Sequence, residues 1–183
     1  PPMPQPARRT NALVPGAQAT AEELGKHPHL QAIAYLAATG VPAGGSLPVV
    51  VVAQIGPVWH INAHPAEPDF VIPTQLTGQS ARGGVLKQVA YPQGEPFRIE
   101  GFDEPVLVYE GKTRLRGTLE VPADAAPGAA EITFALRYQA CNDQNCLRPL
   151  TLTLQGTVQI IPAGETAEPL NQQLFEAAPA GKE

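Results

Sequence analysis

Proline occurs 21 times in 183 residues, from the first residue to the C-terminal tail. Proline lacks an amide donor and breaks helix interiors, so an all-helical bundle is excluded for most of the length. With 17 further glycines the chain approaches a disordered composition, yet 43% of its residues are hydrophobic. A disordered chain does not carry so many. The prolines are therefore expected in turns, linkers and strand edges around a buried core.

The middle of the chain reads as strands. LPVVVVAQI (47–55) is a continuous β-branched run, which predicts a strand at a sheet centre. VWHIN (58–62) is expected to continue it past Pro57, and FVIPTQLT (70–77), VLKQVAYP (85–92) and FRIEG (97–101) follow. Alternation is clearest further on. Leu115, Gly117, Leu119 and Val121 share one face of 113–121. Ile132, Phe134, Leu136 and Tyr138 point inward from 131–140, as do Leu150, Leu152, Leu154, Val158 and Ile160 from 150–161. Strands at this spacing, divided by Pro, Gly and Asp turns, predict an all-β antiparallel sandwich.

The ends differ. Residues 1–18 are Pro-rich and aperiodic, and read as an arm or linker. Thr20 and Glu23 fit a capping box. Leu30, Ile33, Ala34 and Ala37 share a helical face, predicting a short helix over 28–38 that stops at Gly40. Leu170 and Leu174 suggest another over 168–177, with AAPAGKE as a tail. The expected organisation is an arm with a short helix (1–45), a sandwich domain (46–162), and a C-terminal tail or linker (163–183).

The formal charge is −5, with no basic cluster of the kind nucleic acid requires. The longest apolar run, Val49 to Ala53, is far short of the roughly 20 residues of a membrane helix, so this chain is not expected to span a membrane itself. It opens on Pro1–Pro2 without a charged start and apolar stretch, so any signal peptide is expected to be absent or removed.

There are two cysteines, Cys141 and Cys146, which pair with each other or stay reduced. Two thiols cannot complete a structural zinc site. His60 and His64 have a metal-binding spacing only on a helix, and Pro57 and Pro65 argue against one. No metal or cofactor is expected. His27 and His29 flank Pro28 and read as solvated, Trp59 as core, and Arg137 and Gln139 as facing solvent or a partner.

The two best alternating strands join as a hairpin with CNDQNC at its tip, where a cross-strand disulfide is geometrically natural. Strict alternation places Cys141 outward and Cys146 inward. The sulfurs meet only if one strand slips, and Pro149 is the expected place for a bulge or break. Closing so short a loop removes only about 2 kcal/mol of unfolded-state entropy. A structural staple and an exchange site both fit that spacing.

Three segments together, GPVWHINAHPAEPDFVIPTQLT, YEGK and LRYQACNDQNCLRPLTLTL, resemble the N-terminal periplasmic domain family of the thiol-disulfide interchange protein DsbD. The resemblance covers about 46–161. It implies an immunoglobulin-like sandwich and a periplasmic domain whose pair, Cys141 and Cys146, acts as a protein-disulfide reductase. Electrons would arrive from a thioredoxin-like domain or a membrane donor and pass to oxidised envelope proteins, a role linked to cytochrome c biogenesis. Cys146 is the implied attacking sulfur. The family shields its disulfide with a cap loop bearing an aromatic residue. VYEGK (108–112) resembles that stretch, which makes Tyr109 the shield candidate, with Glu110 as the nearest acidic residue and Asp103 and Glu104 further off. Tyr138 is expected inward near the cysteines. Four residues separate the cysteines, slightly fewer than in the best-known member. The alternative is a non-catalytic immunoglobulin-like binding module with a structural disulfide. A third reading is a Cu(I)-handling dithiol with a histidine.

Overall fold

The computed structural model describes residues 12–176. In chain order the elements are β1 (Pro15–Gln18), α1 (Ala21–Gly25), β2 (Leu30–Leu36), β3 (Gly40–Pro42), β4 (Ser46–Ile55) and β5 (His60–Asn62). Then come β6 (Gln75–Ser80), β7 (Val85–Ala90), β8 (Glu95–Phe97), β9 (Val106–Tyr109) and β10 (Lys112–Glu120). The chain finishes with β11 (Gly128–Tyr138), β12 (Ala140–Cys141), β13 (Leu150–Ile161) and α2 (Gln172–Phe175). The fold is the all-β sandwich expected. A nine-stranded sheet runs β1-β2-β4-β10-β7-β6-β11-β13-β3, and a four-stranded sheet runs β12-β5-β9-β8. β1 also pairs with β13, so the large sheet closes on itself like a barrel. One pairing departs from the antiparallel pattern: β3 lies parallel to β13.

The core follows from alternation. Leu47, Val49, Val51, Ala53 and Ile55 of β4 are buried, with Leu115 and Leu119 of β10, Ile132, Phe134 and Leu136 of β11, and Leu152 and Leu154 of β13. Ile61, Ala63 and Tyr109 from the small-sheet side enter the same core. β4 is central, paired with β2 on one side and β10 on the other. That explains why its valine run is buried on almost every residue.

The helix expected over 28–38 is a strand. Leu30, Ala32, Ala34 and Leu36 are buried at period two, and β2 pairs along its whole length with β4, from Leu30 opposite Ile55 to Leu36 opposite Val49. Helix propensity is a weak preference even for alanine, the best helix former, and seven residues of pairing with a valine strand override it. The segment 1–45 thus contributes β1, β2 and β3 to the large sheet. Half of the expected capping box is present: Thr20 Oγ1 accepts from the Glu23 amide at 3.1 Å and starts α1, while the Glu23 carboxylate turns to His27, Lys26 and the Thr153 amide. α2 is a single turn rather than the span 168–177. Leu170 stays outside it, its amide bonded to the Ala37 carbonyl. Residues 1–11 of the predicted arm, and the tail AAPAGKE, lie outside the described residues.

VWHIN does not extend β4. The chain turns at Pro57–Val58, and β5 crosses to the small sheet, between β9 and β12. The segment 70–77 is strand only from Gln75 onward. Gly156 lets the large sheet close. A Cβ there would collide with the Gly16 carbonyl of β1, so only glycine admits the strand at this distance.

Candidate functional site

β11 and β13 form an unbroken ladder, from Gly128 opposite Ile160 to Tyr138 opposite Leu150. Continued in that register, Cys141 would face Leu147. It faces Cys146 instead. This is the one-residue slip that strict alternation required. It is absorbed on both sides of the tip, at Gln139, where the first strand breaks, and over Leu147–Pro149, which lies outside any strand although the Leu147 amide donates to the Ala140 carbonyl. After Gln139 the chain resumes as β12 but leaves the large sheet, pairing with β5. The cysteines therefore stand where the hairpin passes from one sheet to the other.

Local bonds hold the tip. Cys141 and Cys146 form a disulfide with Cα atoms 4.1 Å apart. Asn142 Oδ1 accepts from the amides of Gln144 (2.9 Å) and Asn145 (2.7 Å), and the Asn142 amide donates to the Asn145 carbonyl. These polar turn residues fix the loop without a core of their own. Gln139, expected to face solvent or a partner, is tied down. Its Oε1 accepts from Asn62 Nδ2 at 3.3 Å, and its Nε2 donates to the Leu147 carbonyl at 3.1 Å. It links β5 to the chain just after Cys146.

The two halves of the disulfide differ. Cys141 is 2% exposed, whereas Cys146 lies among the exposed residues of the loop. Opposite Cys141 on β5 stands His60. Directly opposed residues of an antiparallel pair project to the same face. His60 is 1% exposed, its ring lies 4.2 Å from that of Phe97, and its Nδ1 has no hydrogen-bond partner. Burial pushes the His60 pKa down, and the Glu110 carboxylate partly opposes this.

An open cleft of ≈ 580 Å³ adjoins this end, lined by Gln54, Val58, Trp59, Phe97, Glu110 and Asp143 among others. Val58 holds φ at +63°, a left-handed conformation rare for a β-branched residue, and its side chain is 86% exposed at the mouth. Trp59 is only partly buried. It stacks on His29 at 3.9 Å, so neither Trp59 as plain core nor His29 as solvated describes the pair.

VYEGK is the end of β9, a turn at Glu110–Gly111 and the first residue of β10. Glu110 lines the cleft together with Asp143 of the cysteine loop. Tyr109 is anchored in the interior, 4% exposed, its hydroxyl donating to the Pro92 carbonyl at 2.7 Å and accepting from the His64 amide. Asp103 and Glu104 border a different hollow, with Phe70 and Phe102. Tyr138 is inward, 1% exposed, its hydroxyl 2.7 Å from His27 Nδ1. His27 is buried rather than solvated, because α1 folds it against β11. Sequence reading missed Phe97, and weighed His60 only as a metal ligand. Their signal is three-dimensional, since β5 meets β12 only after the chain crosses between sheets. His64 is separate, its Nδ1 bonded to the Thr74 carbonyl and its ring stacked on Tyr91. Among the described residues no cluster of three or more His, Cys, Asp or Glu side chains is placed to hold a metal. No helix among them is long and apolar enough to cross a membrane.

Comparison with solved structures finds, among others, two periplasmic or DsbD n-terminal domains. The N-terminal periplasmic domain of ScsB from Proteus mirabilis aligns at 14% identity over 76% of this chain and 49% of that one, with a TM-score of 0.49. This chain thus spans about half the length of that structure. The DsbD n-terminal domain of Neisseria meningitidis, in the reduced form, aligns at 17% identity over 78% of this chain and 100% of that one, with a TM-score of 0.45. No curated protein matches in sequence. The family described as the N-terminal region of the thiol:disulfide interchange protein DsbD matches residues 41–157, and this chain belongs to that family.

Proposed function

We propose that this is a periplasmic thiol-disulfide exchange domain that reduces oxidised envelope proteins through Cys141 and Cys146. The observation that carries the reading is the asymmetry of the pair: an exposed Cys146 on a polar loop, bonded to a buried Cys141. A sulfur must be reachable to form a mixed disulfide, and its neighbour must stay close enough to resolve it.

In the reduced domain the Cys146 thiolate attacks one sulfur of a target disulfide. A bond forms from Cys146 to that sulfur, and the other target sulfur leaves as a thiolate. Cys141 then attacks Cys146, the target's second thiolate departs, and the domain's own disulfide closes. Two electrons have moved to the target, and the two thiol protons balance its two thiolates. A thioredoxin-like domain or a membrane donor restores the dithiol by the same steps in reverse. Glu110 and Asp143 give the approach an acidic side, and Val58 gives it an apolar one. We assign Glu110 and Phe97 the screening of the buried half of the pair. Tyr109 supports that turn from beneath through its bonds to Pro92 and His64.

The deciding experiment is the reduction potential of the pair, read by thiol labelling in graded dithiol/disulfide buffers. Exchange proteins span about −180 to −270 mV, and a value there is the expected result. A value below about −300 mV marks a structural bond. That result would replace the exchange reading with a binding module stapled by its disulfide.

A further inference from the structure

His60 is a buried polar residue with an unmet need. Its Nδ1 lies inside the protein without a hydrogen-bond partner. Buried polar atoms are nearly always paired, so such an atom calls for an explanation. Its cross-strand neighbour supplies one. In the disulfide, Cys141 has no hydrogen to donate. Once the disulfide opens, Cys141 carries an S–H on the same face of the β5–β12 pair, beside the imidazole.

We propose that His60 is the proton acceptor for Cys141, taking the thiol proton as Cys141 closes the disulfide and returning it when the disulfide is reduced. The inference rests on the exchange reading above and adds a residue to it. A cysteine that is 2% exposed cannot pass its proton directly to bulk water, and a bare thiolate buried there is costly. In the closing step the Sγ–H proton of Cys141 moves to Nδ1. Sγ attacks Cys146, the protein S–S bond forms, and the bond from Cys146 to the target sulfur breaks, that sulfur leaving with the electron pair. The imidazolium then gives its proton to the departing target thiolate. In the reverse direction the attacking thiol of the reductant gives its proton to His60, and the imidazolium protonates Cys141 as it leaves.

The surroundings suit an acceptor. Burial against Phe97 lowers the affinity of the ring for a second proton, which keeps the imidazole neutral and able to accept at neutral pH. Glu110, whose charge acts on the ring, stabilises the transient imidazolium. Asp143 faces the same cleft from the cysteine loop. Tyr109 on β9 directs its hydroxyl away, toward Pro92.

The test separates the two steps. Reduced protein is mixed with oxidised glutathione, and quenched samples are weighed intact. Formation of the Cys146–glutathione adduct and its closure by Cys141 are followed from about pH 5 to 9, bracketing histidine titration. In the wild type, closure is expected to rise with pH through an inflection below the ordinary histidine range. His60→Gln is expected to slow closure about 10-fold or more and remove that inflection, while adduct formation changes less than about twofold. Unchanged closure with an unchanged profile overturns the proposal and leaves the exchange reading intact. A wild type that forms neither the adduct nor the Cys141–Cys146 disulfide overturns both. If His60→Gln does not fold, the wild type still decides. The His60 ring ¹⁵N shifts must show Nδ1 gaining a hydrogen bond on reduction, and identical shifts in the two redox states reject the proposal.

Discussion

Tyr138 Oη lies 2.7 Å from His27 Nδ1, joining residues 111 positions apart in the sequence. Glu23 continues the chain, with Oε1 3.3 Å from His27 Nε2 and 3.1 Å from the Thr153 amide. One turn of helix, α1, is thereby bolted across β11 and β13 at the end of the ladder that leads to the cysteines. Replacing His27 with Ala leaves the Tyr138 hydroxyl buried and without this partner. An unmet buried hydroxyl costs about 1–3 kcal/mol. Urea unfolding of His27→Ala should show that loss. In the double variant with Tyr138→Phe the two losses should fall short of additivity, because the hydroxyl's need is gone.

The same chain contributes at both pH limits of stability. The Thr153 amide, helped by Lys26 and His27, holds the Glu23 carboxyl below its ordinary value of 4.5, against the opposing effect of burial. A lowered carboxyl pKa gives stability that is complete above the unfolded value and lost as pH falls through the folded one. Burial, and then the Glu23 charge, push the Tyr138 phenol from 10.0 up to about 12. Its share is complete below the unfolded value and lost as pH rises from there through the folded one. The contribution of Glu23 and Tyr138 to thermal stability should therefore fall off below about 4.5 and above about 10. Glu23→Gln should flatten the acid limb, and Tyr138→Phe the alkaline one. Identical acid limbs for wild type and Glu23→Gln would exclude this assignment.

How legible this was in the sequence depended on where the partner strand came from. β11 and β13 announce themselves by alternation. The parity of Tyr138 and Leu150 was enough to require a slipped register before Cys141 could reach Cys146. β2 was illegible for a physical reason. Leu30 and Ala34 fit both a helical face and a strand face, and only the valines of β4 decide between them. His27 and His60 were harder still. Each is buried by a strand distant in sequence, β11 for one and β12 for the other, and no spacing within the sequence marks that burial. Phe97 sits on a three-residue strand with no alternation to mark its inner face.

Gly156 offers a test of how the large sheet closes. A methyl group there would run into the Gly16 carbonyl, so β1 must retreat from β13 or β13 must bend. Forced overpacking of this kind costs about 1–3 kcal/mol. Gly156→Ala should lower the unfolding midpoint accordingly. Amide exchange should accelerate at Gly16, Ala17 and Gln18 of β1 before it does in β4, whose pairing to β2 and β10 is untouched. Equal protection of β1 in both proteins would show that the strand tolerates the methyl.

The unequal burial of the two cysteines predicts unequal chemistry. In Cys141→Ser the remaining thiol, Cys146, is on the exposed loop, so a small disulfide should cap it readily and leave a long-lived adduct, since no second thiol can expel it. In Cys146→Ser the remaining thiol is 2% exposed on β12, so capping requires the loop to open first. Access of this kind should separate the two capping rates by about tenfold or more, measured by intact mass against oxidised glutathione at matched pH. Stability should not mirror the difference. Either substitution removes the same short covalent loop, worth about 2 kcal/mol by loop length, so the two variants should melt near each other. Equal capping rates would mean that β12 opens faster than the exchange itself. Cys146 could not then be singled out as the sulfur that meets the target.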